Sequence, residues 1–159
     1  MFTSKSLTEP QKAYLAGFID GEGYIGLTFQ IKRETFQNSA TPRYHPYLII
    51  ANNNSPVLFY VKDIIGEGRI YRQKRNIERQ KPGFQYKLTK MEVLEKLLAA
   101  IEPYLVVKRQ QAKLLLKYLN TRRSKKVTTG AGSRGSTSFS REEEQIHQEL
   151  LRVNKKGLG

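Results

Sequence analysis

Two carboxylates, Asp20 and Glu22, close the stretch LAGFIDGEG at residues 15–23 and are the best candidates in the sequence for metal chemistry. The apolar residues before them predict a helix, and acidic side chains at a helix C-terminus face the negative end of the backbone dipole. A divalent cation would compensate this repulsion. Because carboxylates are hard oxygen ligands and the chain has no cysteine, the pattern favours Mg²⁺ or Ca²⁺ over zinc.

The small residues Ala13, Gly17 and Gly21 recur at every fourth position, so they lie along one face of this helix. Glycine inside a helix costs about 1 kcal/mol relative to alanine, and close packing against another backbone compensates that cost. We therefore expect a dimer interface between two copies of this helix, formed by Ala13, Gly17, Asp20 and Gly21. Ala16 is expected to widen the stripe, and the opposite face is expected to bury Leu15, Phe18 and Ile19.

Two such helices side by side would bring both copies of Asp20 and Glu22 together and create two metal positions at the two-fold axis. The alternative is a glycine-capped helix followed by a solvated acidic turn. The 28 Lys and Arg residues against 14 Asp and Glu leave a formal net charge of +14 and a pI near 10.0. This excess predicts a polyanionic partner, nucleic acid before an anionic membrane, although a basic surface can also serve solubility alone.

The elements that must position these residues follow a weakly repeated order, helix, two strands, helix, two strands and two helices (αββαββαα). Thr8, Pro10 and Gln11 indicate a capping box at the start of the first helix. Alternation of apolar and polar residues predicts strands at 24–32, 43–51, 69–76 and 84–89. The predicted helices are 11–19, 57–65, 91–105 (interrupted at Pro103) and 108–120, followed by a basic and Gly/Ser/Thr-rich linker at 121–140 and a capped helix at 141–154.

The chain of 159 residues is long enough for one domain, which we expect to span 1–159 with its core at about 7–120. The absence of cysteine excludes disulfides and thiol nucleophiles and suits a reducing compartment. No apolar run approaches the roughly 20 residues of a membrane span, and the start lacks the apolar region of a signal peptide. The sequence IGEGRI at 65–70 resembles DGEGYI at 20–25, but it lacks small residues upstream, so we interpret Glu67 as a turn residue.

Residues 15–23 resemble the nine-residue motif that names the LAGLIDADG homing endonucleases, with Phe18 for Leu, Gly21 for Ala and Glu22 for Asp. A single copy of the motif resembles the branch of the family that works as homodimers. The resemblance covers about residues 7–120. It implies an α+β fold, an αββαββα core with a curved antiparallel sheet that binds DNA, helices on the other face, and an extra C-terminal helix.

The resemblance also implies roles for the site residues. Glu22 and the Gly21 carbonyl correspond to the metal ligands, and Asp20 corresponds to the acid that supports the helix end. Asn52, the first of three consecutive asparagines that all lie near the required position, corresponds to the residue that positions water. Lys108 corresponds to the basic residue that polarises the scissile phosphate or the solvent, and its alternative is a surface lysine near a helix start.

The implied reaction is metal-dependent hydrolysis of both strands of a long, roughly palindromic DNA target, cut near its centre to leave short 3′ overhangs. Mg²⁺ is the expected cation, while Mn²⁺ or Ca²⁺ could occupy the same sites, Ca²⁺ without cleavage. The expected partners are double-stranded DNA and a second copy of the chain, with no membrane and no small-molecule substrate. The resemblance further implies an intracellular location in an organelle, a chloroplast or a mitochondrion.

Polar and basic residues alternate along the predicted strands, where they can reach base edges in the major groove. The residues expected on this DNA-binding face are Tyr24, Thr28, Gln30, Lys32, Arg43, His45, Tyr47, Arg69, Tyr71, Gln73, Arg75, Gln85 and Lys87. Four further basic residues are expected to hold DNA phosphates, namely Arg122, Arg123, Lys125 and Lys126.

Two other functions remain open at this point. An RNA-splicing maturase on the same scaffold would keep the basic surface without cutting DNA, and a dimeric DNA-binding regulator would need no metal. Glu22 favours cleavage over both, because a pure binder has no use for clustered acids that face phosphates.

Overall fold

The computed structural model describes residues 6–31, 42–74, 82–129 and 140–156. Its elements follow the predicted αββαββαα order, with the further predicted helix at the C-terminus. Their bounds are α1 Glu9–Glu22, β1 Gly23–Ile31, β2 Pro42–Asn52, α2 Ser55–Ile65, β3 Arg69–Gln73, β4 Gly83–Leu88, α3 Met91–Ile101, a 3₁₀ turn Glu102–Tyr104, α4 Arg109–Thr129 and α5 Arg141–Lys156. The α+β fold class is therefore confirmed.

The four strands form one antiparallel sheet in the order β1-β2-β4-β3. Ile25 lies opposite Leu48, and Leu48 lies opposite Leu88, so these apolar side chains share one face. Helices α1, α2 and α3 pack against this sheet. The core between the two layers includes Leu15, Ile19, Ile25, Leu48, Ile50, Leu58, Tyr86, Leu94 and Leu97, all of them fully buried.

The predicted capping box at the start of α1 is present. The Thr8 hydroxyl accepts a hydrogen bond from the Gln11 backbone N–H at 3.4 Å, and the Gln11 side chain accepts one from the Thr8 N–H at 3.0 Å. The helix begins at Glu9, two residues before the predicted start, because Pro10 is well suited to the first turn. At the other end the Gly23 N–H donates to the Ile19 carbonyl.

The core-facing side of α1 differs from the prediction at Ala16. Leu15 and Ile19 are fully buried as expected, and Ala16 is buried between them in the core instead of widening the exposed stripe. Phe18, predicted to face the core, is only partly buried. Ala16 fits the core because its small side chain lets the helix approach the sheet closely.

The two GEG sequences have different conformations. Gly21 lies inside α1 and Gly23 has extended backbone, whereas Gly66 caps α2 in the left-handed region with φ of 75°. Gly68 has φ of 104°, and a Cβ there would lie 2.5 Å from the Tyr86 ring. Glu67 lies between these two residues, so its interpretation as a turn residue is confirmed.

Helix α4 continues to Thr129, nine residues beyond its predicted end at Asn120. The reason is an acidic side chain on α5. Glu143 is buried and pairs with Lys125 at 3.0 Å and with Arg122 at 3.5 Å. Glu143 also forms a capping box with Ser140, which starts α5 as predicted.

Helix α5 packs beside α4 and contacts the β1 edge of the sheet. The Asn154 side-chain amide donates to the Ile25 carbonyl at 3.1 Å. The Tyr118 hydroxyl of α4 donates to the Tyr44 carbonyl at 3.2 Å, and burial raises the pKa of Tyr118 to about 12, so this hydroxyl keeps its proton at neutral pH. The C-terminal helices thus fix the first two strands from the side.

Within the described ranges, none of the helices combines the length and the apolar character that crossing a membrane requires.

Glu143→Gln tests the α4–α5 connection. Removing this carboxylate leaves Arg122 and Lys125 without their buried counter-charge, so we expect the free energy of unfolding in urea to fall by about 2–4 kcal/mol. The matched control is Glu142→Gln, because Glu142 pairs with Lys117 at 3.6 Å on the surface. We expect that control to lie within about 0.5 kcal/mol of wild type, and equal effects of the two variants would contradict the analysis.

Candidate active site and nucleic-acid interface

Glu22, the last residue of α1, presents an exposed carboxylate. Among the described residues its side chain makes no hydrogen bond and no ion pair. It borders a cavity of about 260 Å³, which Asn52, Gln73 and Phe84 also line. The structure therefore brings together two of the three residues predicted to be catalytic, Glu22 and Asn52.

The side chain of Asn52 is held by a local hydrogen bond, in which its Oδ1 atom accepts from the Asn54 N–H at 2.8 Å. This bond leaves the amide N–H groups of Asn52 as the donors it can offer to a ligand or a water. Asn54 has a different task, because its own side chain accepts from the Val57 N–H and caps α2. Asn54 is thus set apart from its two neighbours: Asn52, which ends β2, and Asn53 both line the cavity beside Glu22.

Asp20 holds a turn of the chain instead of facing the cavity. Its carboxylate accepts hydrogen bonds from the Val106 N–H at 2.7 Å and from the Lys108 N–H at 2.9 Å. The Lys108 ammonium donates to the Asp20 carbonyl, so a positive charge lies at the C-terminal end of α1. That position is favourable because the C-terminal end of a helix dipole is negative. Lys108 supplies the positive charge, since α1 has no basic residue in its own last turn.

These contacts place Lys108, the third predicted catalytic residue, at the C-terminal end of α1. Lys108 does not line the cavity that Glu22 and Asn52 share. The contacts also agree with the expectation that Asp20 supports the helix end.

One chain supplies few ligands for a metal. Within the described residues, no group of three or more His, Cys, Asp or Glu side chains could hold a metal ion. Glu22 is a single unpaired carboxylate, and carbonyls in the last turn of a helix, such as that of Gly21, lack intrahelical partners. These hard oxygen donors are the type of ligand that Mg²⁺ and Ca²⁺ prefer. One chain supplies too few of them, so a second chain or a phosphate has to provide the remaining ligands.

The predicted interface on α1 is open. Ala13, Gly17 and Gly21 are exposed, and a Cβ atom added at Gly17 or Gly21 would meet nothing within 4 Å. Nothing within the described chain therefore requires glycine at these two positions, although each glycine weakens the helix. The open space at these positions leaves room for another backbone to approach α1 closely.

Sequence reasoning missed two apolar residues near this face. Val106 is 84% exposed and Val107 is 66% exposed, in the turn that Asp20 holds at the end of α1. Two adjacent valines just before a predicted helix are the signal that could have identified them. Exposed apolar side chains next to a bare helix face indicate a surface that another protein covers.

The register places the predicted DNA-binding residues of all four strands on one face of the sheet. Thr28 lies opposite His45 and Tyr71 lies opposite Gln85, whereas the buried residues Leu27, Pro46 and Tyr86 belong to the other face. The residues that share this face are Tyr24, Thr28, Gln30, Arg43, His45, Tyr47, Arg69, Tyr71, Gln73, Gln85 and Lys87. Lys32 and Arg75 lie outside the described residues.

Aromatic stacking organises the β1–β2 part of this face. Tyr24 stacks on Tyr47 with ring centroids 5.9 Å apart, and a Cβ at Gly26 would lie 2.6 Å from the Tyr47 ring. The Lys87 ammonium lies 6.0 Å from the centroid of the same ring. Burial, and then the neighbouring Tyr47, raise the pKa of Tyr24, so its hydroxyl stays protonated. Sequence reasoning did not identify Gly26 as the residue that makes room for this stack.

Three of the predicted phosphate contacts on α4 have partners inside the chain. Arg122 and Lys125 pair with Glu143, as described above, and Arg123 pairs with Glu95 of α3 at 2.8 Å. The side chain of Lys126 lies outside the described part of the structure. The basic segment therefore joins the helices of this chain.

Comparison with known proteins supports the fold. No protein-family model matches the chain, and no curated protein matches it. Solved structures do match. The homing endonuclease I-TnaI has a TM-score of 0.60 and 17% identity, over 92% of this chain and 97% of that chain. I-CvuI, solved in complex with its target in the presence of Ca, has a TM-score of 0.59 and 21% identity, over 91% and 95% of the two chains.

A third structure is larger. The LAGLIDADG homing endonuclease I-GzeII, in complex with a DNA target, has a TM-score of 0.58 and 16% identity, and the match covers 93% of this chain but 44% of that one. The chain has the fold of the LAGLIDADG homing endonucleases, as the sequence resemblance implied.

Asp20→Asn tests whether this carboxylate holds the turn before α4. The amide oxygen of asparagine can accept a hydrogen bond from only one of the two backbone N–H groups, and its NH₂ group faces the other N–H, donor against donor. We therefore expect the free energy of unfolding in urea to fall by about 1–3 kcal/mol. Asp63→Asn, on the exposed surface of α2, is the control and should change stability little. Equal stability of Asp20→Asn and wild type would contradict the analysis.

Proposed function

We propose that this chain is one subunit of a homodimeric, site-specific DNA endonuclease that makes a double-strand break by divalent-metal-dependent hydrolysis. The observation that carries the proposal is the position of Glu22. Its unpaired carboxylate lies where the bare face of α1 meets the polar side of the sheet. If α1 binds a second copy of the chain and the sheet binds DNA, Glu22 lies next to both the second subunit and the DNA.

The proposed metal ligands are the Glu22 carboxylate and the Gly21 carbonyl, contributed by each of two subunits. Mg²⁺ is the proposed ion, and the related I-CvuI structures were obtained in the presence of Ca and, with uncleaved DNA, of Mg. Such an ion, when bound, activates water and neutralises charge on the phosphate. The Asn52 amide orients the attacking water, and Lys108 keeps a positive charge at the end of α1.

The polar face of the sheet is proposed to bind the major groove. A β-ribbon fits this groove, and alternate Arg, Gln, Lys and Tyr side chains can pair with base edges there. A two-fold dimer reads the same bases twice, so the target is roughly palindromic and is cut near its centre. I-CvuI was solved in complex with its target and I-GzeII in complex with a DNA target, which supports DNA as the partner proposed for this chain.

Neither alternative function has an observation in its favour. A maturase or a non-cleaving regulator would need the basic sheet face, yet each would gain from a neutral residue at position 22. An unpaired carboxylate repels phosphates unless a cation lies between them.

Glu22→Gln tests the proposed metal ligand. We expect cleavage in Mg²⁺ to fall by about a hundredfold or more while DNA binding in the absence of metal stays equal or becomes tighter, because one repulsive charge is removed. The measurement is cleavage of a randomised palindromic library, with the cut ends sequenced first for wild type. Glu92→Gln, an exposed glutamate on α3, is the control. Full cleavage by Glu22→Gln would refute the proposed ligand.

Gly17→Leu tests the dimer. A side chain at this position meets nothing within 4 Å in one chain, so the fold should survive, and the helix should gain up to about 1 kcal/mol of propensity. The same side chain should block close approach of two α1 helices and convert a dimer to a monomer in analytical ultracentrifugation. Gln148→Leu, on exposed α5, is the control. An unchanged dimer in the Gly17 variant would rule out this interface.

A further inference from the structure

A second cavity, of about 380 Å³, lies at the β3 edge of the sheet and contains three basic side chains. Arg69, Lys87 and Lys90 line it together with one acidic residue, Glu67. We call it the basic cleft. It is separate from the cavity at Glu22, because no residue lines both.

Two of the basic residues lie directly opposite each other. Arg69 on β3 pairs with Lys87 on β4 in the antiparallel register, so their Cβ atoms are roughly 5 Å apart on the same face. Like charges in this position destabilise a sheet. Neither side chain has an ion pair with an acidic residue among those that the structure describes. The pair therefore lacks a compensating anion within the described chain.

The third basic residue has a partner. The Lys90 ammonium lies 3.4 Å from Oε2 of Glu67, whose Oε1 accepts a hydrogen bond from the Gly68 N–H at 3.2 Å. The hydrogen bond from the Gly68 N–H, and to a smaller extent the contact with Lys90, lower the pKa of Glu67, so this carboxylate is ionised at neutral pH. One negative charge thus faces three positive charges, and Arg69 and Lys87 remain uncompensated.

The basic cleft and the Glu22 cavity lie at opposite ends of β3. Gln73 lines the Glu22 cavity, and Arg69 lies four residues away along the strand, which corresponds to roughly 13 Å. The major groove is about 12 Å wide. A strand that crosses the groove with one end at a phosphate on the first wall therefore brings its other end to a phosphate on the second wall.

We propose that Arg69 and Lys87 together bind a backbone phosphate of the DNA and do not read bases. This inference rests on the proposed function, since it requires the sheet to lie in the groove. It changes the expectation for these two residues, which the sequence placed among those that read base edges. Glu67 neutralises the charge of Lys90 in the cleft. Other residues of the polar face, such as Thr28 and Gln85, remain available to contact base edges.

The test is the double variant Arg69→Gln/Lys87→Gln in the full chain. Its affinity for several short labelled duplexes of unrelated sequence is measured by fluorescence anisotropy without divalent metal, over a range of salt concentrations. We expect binding to weaken by about tenfold or more, by the same factor on every duplex. The slope of log affinity against log salt should become shallower by about 0.9, the value for one phosphate contact.

Two controls accompany the double variant. Glu67→Gln removes the acidic residue of the cleft and should bind all duplexes at least as tightly as wild type. Lys96→Gln/Lys113→Gln removes the same formal charge from exposed positions on α3 and α4 and should leave the salt slope unchanged. The Arg69→Gln/Lys87→Gln protein should also be at least as stable in urea as wild type, because it has lost a like-charge pair.

A loss of affinity that differs from duplex to duplex would overturn the inference, because base readers act sequence by sequence. An unchanged salt slope would overturn it as well. Failure of the proposed function gives a different result. If the proposed DNA binding is wrong, wild type itself binds none of the duplexes. If only the proposed cleavage is wrong, wild type binds the duplexes but cuts no DNA in Mg²⁺, and the comparison of variants without divalent metal still decides this inference.

Discussion

The arrangement of this protein depends on α1 having two faces with opposite requirements. Leu15, Ala16 and Ile19 are fully buried and fix the helix to the sheet. On the other side Gly17 and Gly21 present almost bare backbone, with open space where their side chains would be. A helix that accepts the energetic cost of two glycines without a contact in its own chain is built to pack against another helix. In the proposed dimer, this packing would bring two copies of the C-terminal end of α1 together.

The end of α1 separates two acids that are adjacent in the sequence pattern. Asp20 is fully engaged by the turn before α4, whose N–H groups satisfy its carboxylate. Glu22, half a turn later, faces the opposite way toward the end of β2 and its Asn52. One acid therefore gives the site rigidity while the other keeps its charge available. The same turn holds Lys108 against the carbonyl of Asp20 and balances the helix dipole.

Local patterns predicted most of the fold. Period-two alternation identified the strands and the polar face, and the capping residues Thr8 and Gln11 identified the start of α1, because both signals depend on neighbours in sequence. The contacts that were missed span long distances along the chain. Asp20 bonds residues 86 and 88 positions away, and α4 extends through a charged segment because Glu143 neutralises it from another helix. Ala16 was misplaced because a small residue suits a core and an interface equally well.

The central claim is that two copies of α1 meet through their bare faces. The chain has no native cysteine, so single cysteines at Ala13, Gly17 and Gly21 in turn offer a direct measurement. A disulfide requires Cα atoms within about 7 Å, which only closely packed helices provide. Under mild oxidation we predict a rapidly formed covalent dimer for at least one of these variants, and none for Gln148→Cys on α5. Crosslinking of all three no faster than that of Gln148→Cys would contradict the account.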